Sequence, residues 1–178
     1  MSALGDELAE LRNCKELTPE SLMHYFSPFT FELGERRQDP AAFLRRRRGD
    51  CEDFAGLASL LLAERKYHPK IVVVMMTEQT HVVCYVPEAH GFLDFNHRAD
   101  PHPIIPSTGT LEDIAGKTAD YFRTPWCMAS EIRYEGSDPV FLDVAFRKAD
   151  NPAPSKAAST APAGGGGLRA AAAAPALP

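Results

Sequence analysis

Apolar residues recur at spacings of three and four along the first third of the chain, and each such stretch predicts a helix. Leu4, Leu8 and Leu11 define the first, over Ser2 to Arg12. A second is expected after Thr18-Pro19. The aromatic stretch from Tyr25 to Phe31, interrupted by Pro28, reads as a loop or short extended piece lying on the core. A third helix opens at Asp39-Pro40, runs through Ala41, Ala42, Phe43 and Leu44, and is expected to end at Gly49. The strongest period follows: Phe54, Leu57, Ala58, Leu61 and Leu62 share one face of a helix that Asp50 is placed to cap.

After Lys66 the pattern changes to short runs rich in β-branched and aromatic residues, separated by turn formers. Strands are predicted at Ile71 to Met76, Thr80 to Val86 and Gly91 to Phe95. A helix is expected near Leu111 to Phe122, then strands around Glu131 to Tyr134 and Val140 to Arg147. Helices first and a meander of strands afterwards indicate an α+β fold, with helices packed on one side of an antiparallel sheet.

Composition narrows the picture. Of 178 residues, 44% are hydrophobic and 24% charged, as in folded globular domains. The balance of 24 Asp+Glu against 19 Lys+Arg gives a net charge of −5 and no basic field for a phosphate backbone, so nucleic acid is not an expected partner. The segment after Asn151 is nearly all Ala, Pro, Gly, Ser and Thr and cannot offset its own ordering entropy. The expected organisation is therefore one domain over residues 1–150 and a disordered tail over 151–178. The opening residues show no basic start followed by a long apolar run, and nowhere do about 18 apolar residues run together. A cytoplasmic protein without a membrane partner is expected.

Four cysteines, at 14, 51, 84 and 127, are too far apart in sequence for a zinc knuckle or a redox pair. Cys51 differs from the others because it occupies the first turn of the capped helix, where free N–H groups and the helix dipole favour a thiolate. Cys14, Cys84 and Cys127 are expected to serve as small buried hydrophobes. A thiolate nucleophile needs a base, and the base needs a group that fixes its tautomer. If Pro87 to His90 closes a hairpin, Val86 pairs with Gly91, His81 lies opposite Asn96, and Asp94 sits on the same face at the diagonal; a shift of two residues puts Asp94 directly opposite His81, and a slip of one removes the partner. The candidate constellation is Cys51, His81 and Asp94, with Asn96 as a reserve partner for the imidazole.

Arg48-Gly-Asp-Cys-Glu-Asp-Phe-Ala55, Thr80-His-Val-Val and Phe92-Leu-Asp-Phe-Asn96 together resemble the transglutaminase-like superfamily, most closely its bacterial transglutaminase-like cysteine peptidases. The resemblance implies a transglutaminase-like, papain-like core, with Cys51 as nucleophile, His81 as general base and then acid, and Asp94 as the orienting carboxylate. It further implies a thioester formed from a protein or peptide amide and resolved by water, in a peptidase or amidase, or by an amine, in an acyltransferase.

The backbone N–H of Cys51 is one oxyanion donor, and Gln38 or Tyr25 is a candidate for the second. No cofactor is required by this chemistry. Asp50 and Glu52 are hard oxygen donors of the type calcium prefers, and equally ordinary partners of a helix dipole. Arg45 to Arg48 forms the one concentrated positive run, placed either to hold an acidic substrate segment or as a solvated helix end. A catalytically silent domain that binds a protein partner, with the tail as tether, is the competing expectation. Oligomeric state is not encoded in any of these patterns.

Overall fold

A computed structural model describes residues 7–136 and 138–147. The 151–178 segment lies outside the described residues. Four helices precede the main sheet: α1 (Glu7–Asn13), α2 (Pro19–Phe26), α3 (Pro40–Arg46) and α4 (Cys51–Ala63). Two short strands, β1 (Thr30–Phe31) and β2 (Arg48–Gly49), pair in parallel between them. The sheet itself contains β3 (Lys70–Met76), β4 (Thr80–Val86), β5 (Gly91–Leu93), β6 (Ile104–Pro106), β7 (Trp126–Glu135) and β8 (Asp138–Phe146), in the order β6-β5-β4-β3-β7-β8. Every neighbouring pair in it is antiparallel. A fifth helix, α5 (Leu111–Phe122), lies between β6 and β7 in sequence.

Local chemistry explains the helix ends. Thr18 and Ser21 form a reciprocal capping box at α2, and Asp39 caps α3 with Pro40 as its first residue. Asp50 caps α4 by accepting from the N–H groups of Glu52 and Asp53, while the Asp53 carboxylate accepts from the Asp50 N–H. The α3 helix stops earlier than its glycine suggested. Arg47 takes the left-handed conformation at the C-cap (φ 50°), and Gly49 is instead part of β2.

Glycine is needed at that point for close approach. A Cβ on Gly49 would stand 2.6 Å from the buried Phe43 ring and would also collide with the Asp53 carboxylate. Gly49→Ala is therefore expected to destabilise the domain by about 1–3 kcal/mol. A denaturant midpoint equal to that of the wild type would show that the cap region relaxes freely.

The N-terminal helices pack on one face of the sheet, against Ile71, Val73, Val82, Cys84, Val86 and Leu93. The opposite face is not left to solvent. Val72, Val74, Val83, Tyr85 and Phe92 are covered by α5 through Ile114, Ala115 and Ala119. Burial on both faces is why β3 and β4 read as nearly continuous apolar runs instead of alternating ones. The single-sided layering expected from the order of elements holds for α1 to α4, and α5 adds a third layer behind the sheet.

Candidate active site

The hairpin that carries His81 and Asp94 has the register the sequence pattern implied. Val86 pairs with Gly91, Tyr85 with Phe92 and Cys84 with Leu93. The connection is a 3-10 turn, Pro87–Ala89, followed by His90 in the left-handed region (φ 50°). Pairing stops at Cys84 and Leu93, and the chain then enters a second 3-10 turn, Phe95–His97, which Asp94 caps by accepting from the Asn96 N–H at 2.9 Å. Asp94 thereby turns one oxygen toward the end of β4. Its Oδ1 stands 2.9 Å from Nε2 of His81, and both side chains are essentially shut off from solvent.

Aromatic packing locks this hairpin to α4. Phe95, next to Asp94, stacks on Phe54, one turn beyond Cys51, with ring centroids 5.4 Å apart. Arg98 straps the same 3-10 turn to the N-terminal half. Its guanidinium lies 4.1 Å over the Phe95 ring and donates to the Phe29 carbonyl at 2.8 Å. From behind, Phe122 of α5 meets the His81 ring edge to face at 4.8 Å. The imidazole is therefore fixed on one side by a carboxylate and on another by a packed ring.

Electrostatics follow from this placement. Burial alone would lower the pKa of His81, but the Asp94 carboxylate and the Cys51 sulfur act against it by charge and by hydrogen bonding, and the net shift is upward. Asp94 shows the mirror image: burial raises its pKa, the imidazole and the Asn96 N–H lower it, and the result is below the ordinary carboxylate value. The charges of Asp94 and Cys51 both bear on the buried imidazole. The 2.9 Å approach to Asp94 is close but angled, and neither ring nitrogen makes a well-directed bond to an oxygen or nitrogen. Misaligned contacts of this kind commonly tighten only when substrate is bound.

The remaining predicted residues are engaged elsewhere. The Gln38 amide donates to Asp53 at 2.7 Å and to the Arg48 carbonyl at 2.9 Å, and its oxygen accepts from Arg46. Tyr25 donates to Glu7, beside Arg47. Asn96 lies next to the dyad with its Nδ2 buried and unpartnered. Among the arginines of the positive run, Arg46 and Arg48 pair with Glu32, and Arg47 with Glu7, so these three form a solvated helix end. Of the other cysteines, Cys84 is buried, and burial pushes its thiol up to about 12. Cys14 and Cys127 are exposed, against the expectation of a buried role; Cys14 follows the end of α1, and Cys127 points away from the buried Trp126 in β7.

Oxygen donors near Cys51 are arranged for capping. Asp50 Oδ1 accepts from Glu52 and Asp53, and Oδ2 accepts from the Gly34 N–H at 3.1 Å. Burial and the neighbouring acidic charges raise the pKa of both Asp50 and Glu52. Among the described residues no three metal-ligating side chains gather around one point. Calcium takes six to eight oxygens, so an ion here would draw on backbone carbonyls and water beside Asp50 and Glu52. A thermal melt is expected to give the same midpoint with calcium and with chelator. A clear rise in calcium would assign an ion to Asp50 and Glu52.

Two residues at this site escaped the sequence pattern. Arg37 stacks on the Tyr134 ring, 4.2 Å from its centroid, and donates to the Gly136 carbonyl at 2.8 Å. The Tyr134 phenol is shifted upward by burial first and then by the charge of Glu52, and it also feels Arg37, Cys51 and Asp50. No local signal could have found them, because they meet only when β7 packs beside β3.

Residues 11–92 match the model of a family described as a transglutaminase-like domain. The match spans the capped cysteine and His81 and ends two residues before Asp94. No curated protein matches the sequence. Among solved structures, the domain is similar to Legionella pneumophila LapG, at 17% identity over 76% of each chain with a TM-score of 0.49. It is also similar to calcium-bound LapG of the same organism, at 18% identity over 69% of this chain and 71% of that chain, with a TM-score of 0.47. Among the described residues, no helix is long and apolar enough to cross a membrane.

Proposed function

We propose that this protein is a thiol-dependent amide hydrolase, a cysteine peptidase or amidase acting on protein or peptide substrates. The observation that carries the reading is the buried His81 imidazole, held 2.9 Å from the Asp94 carboxylate, with its pKa raised by that charge and by the charge of Cys51 at the start of α4. In this reading His81 takes the proton of Cys51, and the sulfur attacks the amide carbonyl. The tetrahedral oxyanion is met by the Cys51 backbone N–H, which the Asp50 cap leaves out when it takes those of Glu52 and Asp53. His81 then protonates the leaving amine, and a thioester remains on Cys51. Water, deprotonated by His81, releases the acid; an amine in its place gives acyl transfer on the same intermediate. Asp94 keeps Nε2 of the imidazole engaged so that Nδ1 serves the sulfur.

No metal enters these steps. We place the protein in the cytoplasm, where a thiol nucleophile is kept reduced.

One observation favours the catalytically silent alternative. Cys51 is fully buried, so substrate reaches it only through a movement that uncovers the sulfur. Hydrolysis of a casein-type protein substrate or a quenched peptide library, abolished by Cys51→Ala, is the expected result. No turnover, together with a Cys51 that resists alkylation, would leave the binding-module reading.

A further inference from the structure

A groove of about 410 Å³ runs along α4 on the side away from its aromatic packing. Gly56, Leu60, Ile71, Tyr134 and Leu142 line it, and Arg37 lies at the end nearer the start of α4. The guanidinium presses against α4 where there is no side chain: a Cβ on Gly56 would stand 2.9 Å from Nη1 of Arg37. That contact is just over one helical turn from Cys51.

Arg37 is only partly satisfied there. One nitrogen donates to Gly136, but Nε is buried without a partner, and the hydroxyl of Tyr134, on whose ring it stacks, is buried without a partner too. Among the described residues no carboxylate lies at ion-pair distance from Arg37, in contrast to Arg46, Arg47 and Arg48. Two buried donors without acceptors, one of them cationic, line the same groove. The acid whose charge reaches both Arg37 and the Tyr134 phenol is Glu52, which makes no ion-pair contact with Arg37, while Asp50 and Asp53 accept backbone N–H groups. Farther along the groove Lys70 is paired with Glu131 and Arg133 with Glu135, so Arg37 is the cation there without a carboxylate partner among the described residues.

We propose that Arg37, with the Tyr134 hydroxyl, is a specificity-determining anion site that binds an acidic side chain of the polypeptide whose amide is presented to Cys51. The planar fork of a guanidinium suits a carboxylate in two-point contact, and the phenol supplies a further donor. Apolar neighbours such as Leu60, Ile71 and Leu142 cover the adjoining residues of the peptide. This inference rests on Cys51 being the nucleophile.

The test uses the full chain and matched tripeptidyl chloromethyl ketones in which glutamate, at each position in turn, is exchanged for isosteric glutamine. The rate of Cys51 alkylation is followed by mass spectrometry. At one position the glutamate probe should react about tenfold faster than its glutamine partner. The preference should shrink at high salt and disappear in Arg37→Gln. Equal rates for every pair in the wild-type protein would overturn the anion site while leaving the thiol mechanism standing, and so would a preference that survives in Arg37→Gln. Failure of all probes to alkylate Cys51 would remove the mechanism and the site together. The wild-type comparison does not depend on the variant folding.

Discussion

Asp94→Ala lowers the stability of the domain by about 3–5 kcal/mol, the usual consequence of leaving one member of a buried ion pair without its partner. His81 and Asp94 are almost fully buried 2.9 Å apart, and no other acidic side chain is within ion-pair distance of the imidazole among the described residues. The same pair sets a pH window. Asp94 has its folded pKa below 3.8, so its contribution is complete above the unfolded value and is lost as pH falls through the folded one. His81 has its folded pKa above 6.5, so its contribution is complete below 6.5 and is lost as pH rises through the folded value. Stability is therefore greatest between about pH 4 and 6.5. Urea midpoints across pH check this for the wild type, and Asp94→Ala should flatten both limbs. A variant that keeps both the midpoint and the dependence would mean that the pair contributes nothing.

Cys51 is expected to lose its reactivity when the imidazole is removed. His81→Ala should slow iodoacetamide labelling of Cys51 by at least about tenfold, equivalent to ~1.4 kcal/mol. The charged ring is the group that opposes the three acids of the Asp50-Cys51-Glu52-Asp53 turn. Because Cys14 and Cys127 are exposed, they report the rate of ordinary thiols in the same sample, and Cys84 reports a buried inert one. A Cys51 rate unchanged by the substitution would disconnect the sulfur from His81. The alanine variant also leaves Asp94 unpaired, so its folding should be checked by circular dichroism before rates are compared.

The parts of this site that were legible in the sequence are those made by local chemistry. An acidic cap before a periodic apolar run placed Cys51 at a helix start, and the turn formers Pro87 to His90 fixed a two-strand register that aligned His81 with Asp94. What escaped notice depends on contacts between distant segments. Arg37 meets Tyr134 only through the pairing of β7 with β3, and Phe122 reaches His81 only because α5 crosses behind the sheet. The amphipathic pattern of α5 says that one face is buried but not which side of the sheet buries it. β6 was missed because Ile104 and Ile105 stand between prolines, and a three-residue edge strand has too little pattern to register. Gly49 looked like a helix stop because glycine so often is one, whereas here it makes room for the Phe43 ring.

The most direct test is alkylation with iodoacetamide at about pH 5.5, where ordinary thiols are almost wholly protonated, read peptide by peptide by mass spectrometry. The proposed mechanism predicts that Cys51 is the principal labelled residue at that pH, ahead of the exposed Cys14 and Cys127. Labelling confined to Cys14 and Cys127, with Cys51 intact at every pH at which the protein stays folded, would contradict the account.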